Sequence, residues 1–419
     1  MEYLDYLYSL SRFGIKLGLE NMQNFASELK NPQLDFKSLH VAGTNGKGST
    51  CSMLYFILKN RYRTGLYTSP HILSFNERII AVDQLIEDSY MANWIKEKKP
   101  IIEKFASEGS QPTFFEVTTA MAFEYFKKKN VKYAVIEVGL GGRLDATNII
   151  VPEVTGITSI SFDHTDKLGN TLIDIAREKG GIIKAKKPVI LGEMAREPLE
   201  TLENIAKERD APYYNITELY HTKQVEVSQS GTSFDVEGIK NNYKISFSMI
   251  GKYQINNALV SLGMLENTDI EMSREDIESG FKNFKIAGRF EIKSKKPLII
   301  FDVAHNVGAA EVLVETIKTL YKKEPLFVVT QLKDKNSVGF LEALSKASQS
   351  IIVTEVRDVR KKEVEVLKEE AKKFFKNVYA FKSPAEAYKF ATQCSEFIVV
   401  TGSFYLLGEI EEWMRKEQY

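Results

Sequence analysis

Short apolar runs that alternate with segments of helical periodicity are the feature that most constrains the fold of this chain. The runs "KSLHVAG", "VKYAVIEVG" and "VTGITSIS" have the length of buried strands, and "PTFFEVTTAMAFEYFKKK" places apolar residues along one side of a helix. This alternation predicts an α/β fold with a mainly parallel sheet. Between about residues 220 and 249, apolar and polar residues alternate one by one, which predicts a β-rich excursion.

A second series of strand candidates predicts a second domain. A chain of 419 residues is too long for one compact core. From about residue 287, five apolar runs from "PLIIFDVAHN" to "EFIVVTGS" alternate with helical segments, the pattern of a doubly wound domain. We therefore predict an N-terminal domain over residues 1–286 and a C-terminal domain over residues 287–419.

Charge and composition argue against several kinds of partner. The chain has 56 basic and 56 acidic residues, so it has no overall field that would attract nucleic acid or an anionic membrane. Its two cysteines, Cys51 and Cys394, match no disulfide or paired-metal spacing. The stretch "MEYLDYLYSLSRFG" carries acids and lacks the apolar core of a signal peptide, and no uncharged apolar run has bilayer-spanning length. We expect a cytoplasmic protein with no nucleic-acid or membrane partner.

The stretch "HVAGTNGKGST" predicts a phosphate-binding loop of unusual spacing. It joins a strand to a helix, and Gly43, Gly46 and Gly48 would let backbone N–H groups approach phosphate oxygens at the helix N-terminus. Lys47 would reach the β- and γ-phosphates. The usual pattern has Ser or Thr directly after the lysine, whereas here the hydroxyls come at residues 49 and 50. The strand–loop–helix order favours a nucleotide site over a simple glycine-rich turn.

Ionisable residues end two further strands. Glu137 closes an apolar run, where a carboxylate needs a cation or hydrogen bonds to offset its burial. Because open α/β sheets bind ligands beyond the carboxyl ends of their strands, Glu137 could face Mg²⁺, with an ion pair to a nearby cation as the alternative. Asp163 and His164 end another strand and favour a metal or phosphate role, with a structural histidine as the alternative. Lys179, taken alone, would be a solvated or ion-paired lysine on a helix.

The second domain offers a similar group of residues. Arg289 in "GRFE" could meet a phosphate, and Asp302 at a strand end could accept a hydrogen bond from a ribose hydroxyl. His305 and Asn306 follow in the same stretch, "FDVAHN". The alternatives are a salt bridge at the domain boundary and an Asn/His turn.

Nine motifs in order resemble those of folylpolyglutamate synthase and dihydrofolate synthase, members of the Mur ligase superfamily. They are "VAGTNGKGST", "TSPHILSFNERI", "TFFEVTTAMAFEYF", "EVGLGGRLDATN", "DHTDKLGNT", "EKGGIIK", "GKYQINNAL", "GRFE" and "DVAHN". The resemblance covers nearly the whole chain. It implies a P-loop-containing ATPase domain followed by a C-terminal Rossmann-like α/β domain, with catalysis in the cleft between them, in a protein we expect to be monomeric.

The resemblance also implies roles for individual residues. One or two Mg²⁺ ions would be held by Ser69, Glu137 and His164, and Lys179 matches a lysine that is carbamylated in the family. Lys47, His164 and Lys179 would be the catalytic residues. The ATP-binding residues would be Thr44, Asn45, Gly46, Lys47, Gly48, Ser49, Asn257, Arg289 and Asp302. The substrate-binding residues would be Thr113, Phe114, Phe115, Glu116, Leu144, Asp145 and Ala146 for the pterin, with His305 near the incoming glutamate.

The reaction implied by the resemblance is ATP-dependent ligation of L-glutamate through an acyl phosphate. The acceptor would be the carboxylate of a folate, with that of dihydropteroate as a second candidate. Departures from the family pattern include Tyr253 in place of a common His, and Val303 and Val307 in place of Gly and Pro. These changes leave the preferred substrate open. The alternatives are an amino-acid ligase acting on a non-folate carboxylate and a nucleotide-dependent switch or binding protein.

Overall fold

A computed structural model describes residues 2–10 and 18–417 of the chain. Met1 and residues 11–14 of the N-terminal stretch considered above lie outside the described residues. An eight-stranded sheet forms the first part of the molecule. Its strands are β1 (Lys37–Ala42), β2 (Thr64–Tyr67), β3 (Ile79–Ala81), β4 (Gln84–Leu85), β5 (Tyr133–Glu137), β6 (Val154–Ile157), β7 (Val189–Leu191) and β8 (Tyr213–Asn215).

The strand order of this sheet is β4-β3-β2-β5-β1-β6-β7-β8. All pairings from β2 to β8 are parallel, and only the two edge strands β3 and β4 pair antiparallel. The carboxyl ends of β5, β1 and β6 are therefore neighbours along one edge. The helices of this part are α1 (Glu2–Ser9), α2 (Glu20–Glu28), α3 (Lys47–Leu58), α4 (Asp88–Ser107), α5 (Phe114–Lys128), α6 (Thr165–Leu168), α7 (Leu172–Gly180), α8 (Arg196–Glu208), α9 (Ile216–Leu219), α10 (Tyr253–Glu266) and α11 (Arg274–Asn283).

Helices cover both faces of this sheet, which explains why its central strands β1, β2, β5, β6 and β7 are almost entirely buried. Successive side chains of a strand point to opposite faces. Accordingly, Val135 of β5 packs in the cluster that contains α3 and α10, whereas Ala134 and Ile136 pack in the cluster that contains α5. The polar Glu137 is the last residue of β5, at the edge of this packing.

A small antiparallel sheet corresponds to the alternating pattern of residues 220–249. Its strands are β9 (His221–Ser228), β10 (Gly231–Glu237) and β11 (Asn242–Phe247), in the order β11-β10-β9. Phe234 and Phe247 from this sheet join the cluster formed by α3, α10 and α11, so the excursion packs against the first part of the molecule.

The C-terminal part is a six-stranded sheet with the order β12-β13-β17-β14-β15-β16. Its elements are β12 (Glu291–Lys295), β13 (Leu298–Phe301), α12 (Val307–Leu320), β14 (Leu326–Val329), α13 (Ser337–Ser345), β15 (Ser350–Thr354), α14 (Val364–Ala371), β16 (Asn377–Phe381), α15 (Pro384–Cys394), β17 (Phe397–Thr401) and α16 (Phe404–Glu417). The five predicted strands are β13 to β17, all parallel, and β12 is an additional antiparallel edge strand.

The predicted α/β fold class is confirmed. The predicted boundary between residues 286 and 287 falls in the connection from α11 to β12, and the division into two domains there remains a proposal. No helix among residues 2–10 and 18–417 has both the length and the apolar character needed to cross a membrane.

Candidate active site

One cavity of about 540 Å³ lies where the two large sheets face each other. From the first sheet, the residues that follow β1, β5 and β6 line it, and from the second sheet the residues that follow β13, β14 and β17. Ligands of open α/β sheets bind beyond the carboxyl ends of the strands, so both halves of the molecule present their expected binding edge to the same space.

The glycine-rich loop follows β1 and ends at the N-terminus of α3. Gly46 has a φ of 89°, and a side chain there would collide with Asn257 Oδ1. Gly43 has a φ of 146°, and a side chain there would collide with Thr158 Oγ1. The loop is tied to the segment after β6, because Thr44 N donates to Ser159 O at 2.8 Å. Glycine is therefore required at both positions, as a phosphate cradle needs.

Lys47 begins α3 and curls back over the loop. Its Nζ donates to Gly43 O at 2.9 Å and to Thr44 O at 3.2 Å. In the next turn, the buried Ser49 Oγ and Thr50 Oγ1 have no hydrogen-bond partner among the described residues. Ser49 lines the cavity and Thr50 does not. Since buried hydroxyls are normally satisfied, the orphaned Ser49 Oγ beside a cationic loop indicates a site for an added polar ligand.

Glu137 is 5% exposed at the end of β5, and its Oε2 accepts a hydrogen bond from Ser69 N at 3.0 Å. Burial raises the pKa of this carboxyl, while the charge of Lys47, the Ser69 N–H and the charge of Arg289 lower it. A methyl group added at Gly48 would lie 3.7 Å from Glu137 Oε1, so the carboxylate adjoins the glycine-rich loop. Lys47 and Arg289 lower the pKa of Glu137 through their charges without direct contact. Among the described residues, Glu137 does not form the ion pair that was considered as the alternative.

Lys179, near the end of α7, is not the solvated or ion-paired lysine that its sequence context suggested. It is 4% exposed, and its Nζ donates to Gly43 O at 3.0 Å. Burial first, and then the charge of Lys47, lower the pKa of Lys179 to about 7. A substantial fraction of this amine is therefore neutral at neutral pH, which makes it a nucleophile in contact with the phosphate loop.

Asp163 and His164 follow β6 and contact the C-terminal part of the molecule. Lys335 Nζ lies 2.6 Å from Asp163 Oδ1 and 2.9 Å from His164 Nε2. Because an ammonium group only donates, His164 Nε2 must accept, which places the ring proton on Nδ1, 3.7 Å from Asp334 Oδ2. Burial and the charge of Lys335 lower the pKa of His164 to about 4, so the ring is neutral at pH 7.

Asp302 and His305 face the first part of the molecule from the end of β13. Asp302 accepts hydrogen bonds from Phe290 N and Ala304 N, both at 2.8 Å, and burial raises its pKa. The Arg289 guanidinium lies over the Phe404 ring, 5.2 Å from its centroid. The carboxylate of Asp302 thus holds the backbone next to Arg289, while the Arg289 side chain lines the cavity. This arrangement differs from the salt bridge that was considered as the alternative.

Asn306 does form the turn that was considered as the alternative, because its Oδ1 accepts from Ala309 N at 2.9 Å and caps α12. His305 is not consumed by that turn. Its Nδ1 lies 2.9 Å from Val303 O and its Nε2 lies 3.5 Å from Asp163 Oδ2.

The predicted pterin segments form one apolar wall of the cavity and its polar support. Thr113 caps α5, and its backbone N–H donates to Glu116 Oε2 at 2.7 Å. The Phe115 ring stacks on Tyr67 with centroids 6.0 Å apart. Asp145 is buried and accepts from Leu140 N at 2.9 Å, which shapes the glycine-rich turn after β5.

Most of the residues predicted for the site meet in this cavity. Those that line it are Thr44, Asn45, Gly46, Lys47, Gly48, Ser49, Ser69, Thr113, Phe115, Glu116, Glu137, Leu144, Asp145, Ala146, His164, Lys179, Arg289, Asp302 and His305. Phe114 does not line it and instead stacks on Tyr8, with ring centroids 5.8 Å apart. Asn257 lies behind Gly46, and its Nδ2 donates to Gln254 Oε1 at 2.9 Å.

Five basic residues that line the cavity were not identified from the sequence: Arg78, Arg143, Lys167, Lys335 and Arg360. Lys335 and Arg360 follow strands of the second sheet, and the strand-end position was the available signal. Arg78 is buried, donates from Nε to His71 Nδ1 at 2.8 Å, and lies in the quoted stretch "TSPHILSFNERI". A buried arginine that hydrogen-bonds to a neutral imidazole and faces a cavity is suited to an anionic ligand.

Comparison with known proteins gives the family of the chain. Residues 41–265 match the Mur ligase middle domain and residues 288–404 match the Mur ligase glutamate ligase domain. The dihydrofolate synthase/folylpolyglutamate synthase of Bacillus subtilis is 32% identical over 426 residues, covering 98% of this chain and 98% of the relative.

Three solved structures are similar along nearly their whole length. Folylpolyglutamate synthase from Thermotoga maritima has a TM-score of 0.87 at 39% identity, covering 100% of this chain and 97% of that one. Escherichia coli FolC in complex with DHPP and ADP has a TM-score of 0.86 at 30% identity, covering 100% and 98%. The bifunctional enzyme of Yersinia pestis, complexed with AMPPNP and Mn ion, has a TM-score of 0.86 at 30% identity, covering 99% and 97%.

The predicted family is confirmed by these matches, and so is the predicted fold of two α/β units of the Mur ligase type. The chain belongs to the Mur ligases and, within them, to the dihydrofolate synthase/folylpolyglutamate synthase family.

Proposed function

We propose that this protein joins L-glutamate to the carboxylate of a folate, with ATP as the energy source and an acyl phosphate as the intermediate. What supports this most is the convergence on one cavity of a phosphate loop with Lys47, a buried acid at Glu137 and the C-terminal residues Arg289 and His305. In such a reaction an acyl phosphate and the amine of glutamate must meet, and each half of the molecule supplies one wall of the cavity. Membership of the family gives the reaction class.

ATP would bind with its phosphates on the glycine-rich loop. The backbone N–H groups at the start of α3 and the helix dipole favour an anion there. Lys47 already lies over the loop, where its ammonium would neutralise charge on the transferring phosphoryl group. Arg289 and Asp302 would hold the nucleotide from the C-terminal side.

The donor atoms around the loop fit a divalent cation in part. The orphaned Ser49 Oγ and the carboxylate of Glu137 beside Ser69 are oxygen donors, which Mg²⁺ prefers. His164 does not fit as it stands, because its Nε2 accepts a hydrogen bond from Lys335 Nζ. Among the described residues, no three His, Cys, Asp or Glu side chains already form a metal cluster. When bound, one or two Mg²⁺ ions would neutralise phosphate charge and orient the γ-phosphate for attack.

Lys179 would carry a carbamate in the active enzyme. Its neutral amine attacks carbon dioxide, a N–C bond forms and one proton leaves, so that the neutral amine becomes a negatively charged carbamate. The low pKa of about 7 supplies the neutral amine at neutral pH. The change adds a negative charge next to Lys47 and an oxygen ligand beside the phosphate loop.

The substrates would enter from opposite walls. The pterin would lie against Phe115 and Ala146, which offer an apolar surface, and the glutamate would lie near His305. The folate carboxylate attacks the γ-phosphate of ATP and forms an acyl phosphate, with ADP as the leaving group. The glutamate α-amine then attacks the acyl carbon, and phosphate leaves. Closure of the two halves would exclude water from the acyl phosphate.

A substrate panel tests this proposal. Phosphate release from ATP is measured with and without L-glutamate, in the presence of dihydropteroate, tetrahydrofolate or its one-carbon forms, and a non-folate carboxylate. We expect release that requires both glutamate and a pterin acid, and the panel then identifies the preferred acid. Release without any carboxylate would refute the ligase assignment and favour a nucleotide-dependent switch.

A monomeric state and a cytoplasmic location also remain proposals.

A further inference from the structure

Asp163 is the point at which the end of β6 meets three side chains of the C-terminal part. Its Oδ1 accepts from Lys335 Nζ at 2.6 Å, and its Oδ2 accepts from Asn306 Nδ2 at 3.2 Å. His305 Nε2 lies 3.5 Å from the same Oδ2. One carboxylate therefore gathers residues that follow two different strands, β13 and β14.

The side chains of Asp163 and Lys335 are mostly buried, unlike those of most ion pairs among the described residues. The two side chains are 10% and 7% exposed, whereas those of the surface pair Arg196–Glu200 are 89% and 53% exposed. Exposed pairs contribute little to stability because water screens them. In a mostly buried pair, replacement of one partner by an uncharged residue leaves the other charge without compensation, which is destabilising. The contact between Asp163 and Lys335 therefore holds the two parts of the molecule together.

The same network reaches the phosphate loop. Asn306 Nδ2 donates to Asn45 Oδ1 at 3.0 Å, and Asn45 Nδ2 donates back to Asn306 Oδ1 at 3.3 Å. Asn306 also caps α12 through Ala309 N. Asp163 thus connects the start of α12, the segment after β14 and the glycine-rich loop, which are the walls of the proposed site.

We propose that Asp163 is a positioning residue. Its carboxylate binds the C-terminal part of the molecule, holds it over the phosphate loop and so aligns the two substrates. This inference rests on the proposed ligase function for its effect on turnover, but not for its effect on the relative position of the two parts. Asp163 touches neither substrate in this role. It acts through Lys335, His305 and Asn306.

The relative position of the two parts is measured as a distance distribution between two spin labels. The exposed Cys394 on α15 takes one label, and Asn204→Cys on the exposed face of α8 takes the other, since Cys51 is buried. The variants are Asp163→Asn, Lys335→Met and the double variant, and the matched control is Asp166→Asn, an exposed acid three residues away. Each is also assayed for kcat and for the KM of ATP.

We expect Asp163→Asn to add a longer distance to the distribution, to lower kcat at least tenfold and to change the KM for ATP less than threefold, since the loop keeps its own N–H groups. Lys335→Met should also lengthen the distance, and the double variant should lengthen it no further, because both act through one contact. The control should match the wild type. If Asp163→Asn fails to fold, Lys335→Met still reports the distance.

Two results would overturn the inference. One is an unchanged distance distribution in Asp163→Asn or, failing that, in Lys335→Met. The other is a lengthened distance with wild-type kcat, which would leave Asp163 a structural contact only. A wild-type protein without glutamate-dependent phosphate release would refute the proposed function instead. The distances between the spin labels would then show on their own whether Asp163 holds the two parts together.

Discussion

Replacement of Lys179 by methionine should raise the stability of the unmodified protein while it abolishes ligation. The side chain is 4% exposed, and its pKa falls from 10.5 to about 7. Such a shift corresponds to about 5 kcal/mol of free energy against the charged form. Methionine has a similar shape and removes the charge, but it also removes the hydrogen bond to Gly43 O, which costs about 1 kcal/mol.

The sign of the pH dependence follows from the direction of the shift. Below pH 7 the lysine is protonated in both the folded and the unfolded state, so the full penalty of burying a charge lowers the free energy of unfolding. Between pH 7 and 10.5 the folded protein has released its proton and the unfolded chain has not, so wild-type stability rises with pH. The advantage of Lys179→Met should therefore be about 4 kcal/mol at pH 6 and close to zero at pH 10.

Urea denaturation between pH 6 and pH 10, in buffers free of carbon dioxide and divalent cations, measures this difference. Lys96→Met, at an exposed position of α4, serves as the matched control and should show no pH-dependent change. Added bicarbonate should change the free energy of unfolding of the wild type but not that of Lys179→Met, because only the lysine amine can form a carbamate. If Lys179→Met is less stable than the wild type at pH 6, or if the difference does not vary with pH, the buried neutral amine is refuted.

The remaining predictions concern the phosphate loop and its neighbours. Lys47→Ala should lower ligation at least 100-fold with an unchanged circular dichroism spectrum, and near-normal turnover would remove Lys47 from the site. Gly46→Ala should lose about 1–3 kcal/mol of stability and weaken nucleotide binding, because of its positive φ and the collision with Asn257; an unchanged calorimetric binding constant for ADP would contradict this. Glu137→Gln should weaken Mn²⁺ binding at least tenfold by electron paramagnetic resonance, and wild-type affinity would show that another residue holds the ion.

The sequence predicted the elements that obey a simple period. Strands such as β5 and β17 are buried on both faces, so they are continuous apolar runs that can be recognised without a structure. The polar residues placed at strand ends, Glu137 and Asp302, could be found because parallel strands bring their carboxyl ends to one edge. The edge strand β12, "EIKSK", was missed because it is mostly half-buried and polar.

Burial that depends on distant segments could not be predicted. Lys179 is buried only because the loop at Gly43, more than 100 residues earlier, covers its amine. Lys335 follows β14, which could have placed it at the binding edge of its own sheet. Its contact with Asp163 could not be predicted, because that contact exists only where the two sheets face each other. Asn257 supports the loop from behind Gly46, outside the cavity, a position that no local pattern indicates.

Transfer of ¹⁸O from the substrate carboxylate tests the central claim most directly. A folate labelled with ¹⁸O in its reacting carboxylate is incubated with ATP and L-glutamate, and the released phosphate is analysed by mass spectrometry. An acyl phosphate leaves the bridging oxygen with phosphate when the glutamate amine attacks the acyl carbon, so each phosphate should carry one ¹⁸O atom. Unlabelled phosphate, released together with the ligated product, would contradict the acyl phosphate mechanism, and phosphate release without any product would contradict the ligase function.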